Sequence, residues 1–257
     1  MDKEICWNIT ARCNQNCKYC HRFLEIKDLT YEENKQILDN LINSGVTDIT
    51  WTGGEALLFP RINELIKYAS SKGINNKLIT NGKLLTKDRI DEIGKHLDSI
   101  TLSIDSIDNV INEKLGRGYN HFETIKAILD YLKKYKDIKV RINCVACSYT
   151  KDGFEALINF LNNYEIYSLR VFKFMPLREK AVKNKDIFNI SMNEYKKIID
   201  LVNVKSNAKK IDTRIENDME SKYVLILANG DLVITKNGKD VVIGNALRDS
   251  IKSFLNN

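Results

Sequence analysis

The chain has 257 residues, with 40 Lys plus Arg against 34 Asp plus Glu, a net charge of +6, and 43% hydrophobic residues. That apolar share excludes a disordered chain, two prolines exclude a collagen-like or Pro-rich one, and six cysteines are too few to staple a scaffold of this length. No apolar stretch approaches the ~20 residues of a membrane span and no apolar signal core opens the chain, so a cytoplasmic, reducing setting without a membrane partner is expected.

Short apolar runs alternate with amphipathic helical patterns. Strands are predicted over 6–10, 48–51, 77–80, 99–104, 139–146 and 169–174. Helices are predicted between them over 30–44, 61–71, 86–96, 122–135 and 153–162, the first opened by a Thr30/Glu33 capping box. This rhythm fits an α/β chain built as a partial (β/α)6 TIM-type barrel. After Pro176 the rhythm changes. Residues 177–189 read as irregular and 191–202 as a helix. A hairpin over 223–227 and 231–235 turns at Asn229-Gly230, and a short helix closes at 248–255. The expected organisation is a core over 1–176 and an α/β-hairpin appendage over 177–257 that closes the barrel within one structural unit. Lysines scattered along helical segments read as solvated faces, so no nucleic-acid polymer is expected as a partner.

The sharpest feature is Cys13-Asn-Gln-Asn-Cys17-Lys-Tyr-Cys20, in the loop after the first strand. Three thiolates so spaced can hold one side of a [4Fe–4S] cluster and leave one iron open. A Cys3His zinc site completed by His21 is the alternative. Cys144 and Cys147 are three apart along a strand and have no further pair, so they read as core thiols. His96 and His121 read as surface or capping residues.

The triplet, with Tyr19 before its last cysteine, resembles the signature of the radical S-adenosylmethionine (SAM) superfamily. Thr52-Gly53-Gly54-Glu55, Thr80-Asn81-Gly82 and Ser103-Ile104-Asp105-Ser106 follow in the family's order, each at a strand's C-terminal end, where parallel barrels place their sites. The family's usual Pro after Gly-Gly-Glu is Ala56 here. The resemblance implies a cluster on Cys13, Cys17 and Cys20, and SAM contacts from Gly54, Glu55, Asn81, Ser103 and Arg117. It also implies a 5′-deoxyadenosyl radical that takes a hydrogen atom from substrate.

Within that superfamily the chain resembles the branch of viperin-type nucleotide dehydratases and GTP cyclases. No cysteine follows Cys147, where the cyclases carry a second set, which favours the viperin type. That likeness implies a radical SAM lyase acting on a nucleoside triphosphate, CTP or another pyrimidine nucleotide. The product would be a 3′-deoxy-3′,4′-didehydro nucleotide, with an antiviral role by analogy alone. It implies substrate contacts from Thr52, Arg141, Asn143 and Arg170, a catalytic Tyr223, and an electron donor such as flavodoxin or ferredoxin. A GTP-cyclase-like or peptide-modifying radical SAM enzyme is the alternative.

Overall fold

The computed structural model describes residues 4–23, 26–219, 224–236, 239–251 and 254. Six strands follow the predicted rhythm: β1 (Glu4–Asn8), β2 (Asp48–Thr52), β3 (Asn75–Thr80), β4 (Ser99–Ser103), β5 (Lys139–Ala146) and β6 (Ser168–Lys173). Each is parallel to the next. The helices between them are α1 (Tyr31–Asn43), α2 (Ile62–Ser71), α3 (Lys87–Ile93), α4 (Asn109–Leu115), α5 (His121–Leu132) and α6 (Phe154–Leu161). Helix α4 was not foreseen: its seven residues are too few to show a period, and it starts on the Asp108 side chain, which accepts from Val110 N.

Alternation along β1 separates the two faces of the sheet. Ile5 and Trp7 are fully buried beneath the helices, where Trp7 stacks on its register partner Trp51 at 5.2 Å. Cys6 and Asn8 point the other way and line the central cavity. The helices present their apolar stripes to the first face, as in α1, where Ile37, Leu38 and Leu41 are buried. Its N-terminus carries the predicted capping box: Thr30 Oγ1 accepts from Glu33 N, and Thr30 N donates to Glu33 Oε2 at 2.8 Å. Thr30→Ala removes that cap and should cost about 1 kcal/mol, read as a fall of roughly 2–4 °C in the thermal midpoint; an unchanged midpoint would show the cap to be idle.

The tail extends the sheet at both edges. Segment 177–189, expected to be irregular, forms α7 (Glu179–Lys183) and α8 (Lys185–Phe188), each too short to show a helical period. Next come α9 (Met192–Lys205) and β7 (Lys210–Arg214), and β7 adds parallel to β6. The predicted hairpin is β8 (Leu225–Ile226) and β9 (Asp231–Lys236), extended by β10 (Lys239–Asn245). Strand β8 pairs parallel to β1, giving one ten-stranded sheet in the order β10-β9-β8-β1-β2-β3-β4-β5-β6-β7. In place of the predicted closing helix, a turn at 246–248 is followed by a bend at 249 and a turn residue at 251; 252, 253 and 255 lie outside the described residues.

Candidate active site

The parallel strands end around one cavity of about 360 Å³, within the usual range for pockets that bury small ligands. Cys13, Cys17 and Cys20 all line it. Their loop is held from outside by backbone bonds: Asn16 N donates to Gly116 O at 3.1 Å and Lys18 N to Leu115 O at 2.9 Å. Gly116 caps α4 at φ +84°, and a Cβ there would stand 2.3 Å from Asn16 O. A glycine is therefore required for the loop to dock. Burial pushes the Cys17 thiol up to about 11, against the pull of the Arg117 cation, and also raises Cys13. The free Cys13 and Cys17 thiols are therefore protonated, and iron would displace their protons. Asn81 Nδ2 lies 3.7 Å from Cys13 Sγ, and Gln15 N lies 3.4 Å from the same sulfur.

The donor set fits an iron–sulfur cluster: three thiols on one docked loop, with amide donors beside a sulfur. Among the described residues no three His, Cys, Asp or Glu side chains converge on a single-ion site. A cubic cluster, with each thiol on its own iron, asks for a wider spacing.

Gly54 packs against the same loop. Gly54 N donates to Thr10 O and Glu55 N to Arg12 O, each at 2.8 Å, and a Cβ on Gly54 would stand 2.2 Å from Arg12 O. The first demand on this glycine thus comes from the chain's own backbone. Gly54→Ala should break both bonds and shift the cysteine loop. The expected outcome is a reconstituted protein with most of its iron lost; wild-type iron content would refute this placement.

Glu55 is buried, and desolvation raises its carboxyl above the ordinary range, against three donated hydrogen bonds. They come from Asn81 N at 2.8 Å, Thr80 Oγ1 at 2.7 Å and Leu57 N at 3.2 Å. Glu55 therefore fixes the end of β3 as well as facing the cavity. Asn81 and Ser103 also line the cavity. Below them, His121 bridges the Ser103 carbonyl (Nε2, 2.8 Å) and Gln15 (Nδ1, 3.2 Å). Burial pushes His121 down to about 4, so it is neutral, with Nε2 as the donor. The expectation of a surface or capping histidine is corrected here: His121 does open α5, but as a buried strut.

Arg117 lines the cavity and is nearly buried. Its Nε donates to Asp105, and Tyr19 O–H donates to the same carboxylate oxygen. Val145 N donates to the other oxygen at 2.8 Å. Asp105 thus ties the aromatic position of the cysteine loop to Arg117 and to β5. The sequence reading quoted Asp105 within a motif but gave it no role. Its signal was a lone acid at the buried end of a strand.

Thr52, Asn143 and Arg170 line the cavity on the barrel side, with Cys6. Burial pushes the Cys6 thiol up to about 12. Arg170 Nε donates to Asp212 on β7 at 2.7 Å, and Asp212 also receives Arg214 at 2.6 Å. Among the described residues the Nη nitrogens of Arg170 have no hydrogen-bond partner. Arg141 is not brought to the cavity. It lies earlier on β5, with its guanidinium 5.0 Å from the Tyr167 ring centre and a buried, unpartnered Nε. Tyr223 lies outside the described residues. Three further cations line the cavity without having been assigned as contacts: Arg22, Lys173 and Arg178. Arg178 forms a two-pronged pair with Asp240 at 2.6 and 2.7 Å and donates to His21 O at 2.9 Å. Cys144 and Cys147 are buried core thiols.

Comparison with known proteins agrees with this geometry. A family model described as the Radical SAM superfamily matches residues 7–161. An S-adenosylmethionine-dependent nucleotide dehydratase of Flammeovirga pacifica is 31% identical over 251 residues, covering 91% of this chain and 83% of that protein. A probable GTP 3′,8-cyclase of Methanococcus maripaludis is 26% identical over 225 residues, covering 85% and 71%. Among solved structures, Streptococcus suis SuiB bound to its precursor peptide SuiA superposes with a TM-score of 0.77 at 18% identity. That match covers all of this chain and 65% of SuiB, and at this identity it speaks for the fold alone.

Proposed function

Because the chain belongs to the radical SAM superfamily, whose members carry a [4Fe–4S] cluster and SAM, we propose that its cavity also takes a nucleoside triphosphate and removes one water from the ribose. When bound, the cluster and SAM supply a 5′-deoxyadenosyl radical that abstracts a hydrogen atom; the protein supplies placement and exclusion of water. Cys13, Cys17 and Cys20 hold the cluster. Ser103 and Arg117 face SAM, with Arg117 pre-set by Asp105. Glu55 and Asn81 hold the rim between SAM and the cysteine loop.

Arg170 carries the substrate assignment. Asp212 fixes its Nε and leaves the Nη edge for an anion, the geometry suited to phosphate. Asn143 on the adjacent β5 and Thr52 at the end of β2 offer uncharged hydrogen-bonding groups to the same cavity. A pyrimidine nucleotide such as CTP is the preferred substrate. The C4′ hydrogen atom leaves first, and the C3′ hydroxide then leaves and takes up a proton as water. One electron returned to the sugar completes the 3′,4′ double bond, and the sum is loss of one water. Support comes from the dehydratase relative at 31% identity.

The test offers CTP, UTP, GTP and ATP separately to the reconstituted protein with SAM and dithionite. The expected result is deoxyadenosine release stimulated by one pyrimidine nucleotide, with a product lighter by one water. A product of unchanged mass from GTP would favour cyclisation. No nucleotide dependence at all would end the reading.

A further inference from the structure

Helices α7 and α8 lie directly over the cysteine loop. Lys180 Nζ donates to Asn16 Oδ1 at 2.5 Å, and Asn184 Nδ2 to Lys18 O at 3.0 Å. Ala181 and Phe188 are buried in one cluster with Tyr19, and Cys17 packs against it. The outer surface here is therefore separated from the Cys17 thiol by little more than these two short helices.

That surface is cationic. Lys18, Lys114, Lys183 and Lys185 are exposed and Lys180 is half-buried. None of the five is in an ion pair among the described residues. Exposed lysines elsewhere are of both kinds: Lys126, Lys67 and Lys134 are paired with Asp130, Glu92 and Asp91, while Lys83, Lys87 and Lys196 stand unpaired among the described residues. Glu113, Glu179 and Asp186 share the face and leave it net positive. Val182 and Ile187 stand exposed among these lysines, 46% and 52% accessible. Tyr149 continues the surface, its ring 5.4 Å from Phe188 and 5.9 Å from the Lys114 ammonium. A few exposed apolar side chains among unpaired cations are the anatomy of a transient, electrostatically steered contact.

We propose that this face, formed by α7, α8 and the end of α4, docks a small acidic electron-transfer protein that delivers single electrons to the cluster. The proposal rests on the function argued above, which consumes electrons one at a time. Acidity is the charge complement of the face. One electron leaves the donor, which is oxidised by one, and the cluster is reduced by one; no atom moves.

The test is the triple variant Lys114→Glu/Lys183→Glu/Lys185→Glu, which spares Lys18 and Lys180 because both touch the cysteine loop. Lys126→Glu/Lys133→Glu/Lys136→Glu, on and just after α5, is the control with an equal charge change. Reduced flavodoxin of net negative charge is the probe. The Kd for flavodoxin, by calorimetry on the reconstituted enzyme, should weaken at least about tenfold in the first variant and little in the control, with a flatter salt dependence. Flavodoxin-supported SAM cleavage should fall in parallel, while dithionite-supported cleavage stays at the wild-type rate in both. Equal flavodoxin affinity in wild type and patch variant, or no binding to wild type at low salt, overturns the proposal. Failure of dithionite to support SAM cleavage in wild type would instead count against the function, and the affinities would still decide the docking face.

Discussion

Cys17→Ala is expected to leave a folded protein with no stable cluster and no deoxyadenosine release above background. The fold should survive because Cys17 only borders the small cluster of buried side chains, and the loop is docked by backbone bonds from Asn16 and Lys18. The cluster should not survive, because three thiols leave none in reserve and Cys17 is the middle one. Iron content and visible absorbance after anaerobic reconstitution report the first effect, and circular dichroism checks the fold. Activity retained in this variant would remove Cys17 from the metal site.

Asp105→Ala should have the largest effect on stability. Asp105 and Arg117 form a desolvated pair, with side chains 1% and 8% accessible. Removing the acid leaves the guanidinium buried without its counter-charge and orphans the Tyr19 hydroxyl and Val145 N. Breaking such a pair typically costs about 3–5 kcal/mol. The variant should unfold at clearly lower denaturant and bind SAM weakly, since Arg117 is no longer held. Asp105→Asn keeps a hydrogen-bond acceptor without the charge and should fall between the two. A variant as stable as wild type would mean that the network is incidental.

The repeated strand–helix rhythm was legible because each inner strand buries an apolar face, as Ile5 and Trp7 do on β1 and Ile142 and Cys144 on β5, between helices with their own apolar stripes. The cysteine triplet and the Gly54, Asn81 and Ser103 motifs were legible because all sit where strands end. Strand β7 was not: Lys-Ile-Asp-Thr-Arg has one apolar residue in five and, among the described residues, forms a sheet edge beside β6 alone. Missing β7 hid Asp212, and so the reason Arg170 is held in place. Arg141 shows the converse limit. Its position on β5 has the same parity as Asn143, yet two residues along a strand is enough to keep it out of the cavity, which parity alone does not reveal. His121 and Arg178 were obscured because their partners, Gln15 and Asp240, are distant in the chain.

Cys13, Cys17 and Cys20 are the proposed ligands of a [4Fe–4S] cluster that would leave one iron free for SAM. The most direct measurement is the electron paramagnetic resonance spectrum of the reconstituted, dithionite-reduced protein with and without SAM. A reduced [4Fe–4S] signal whose shape changes on adding SAM is the result predicted here. A cluster signal indifferent to SAM, or zinc bound in place of iron, would contradict it.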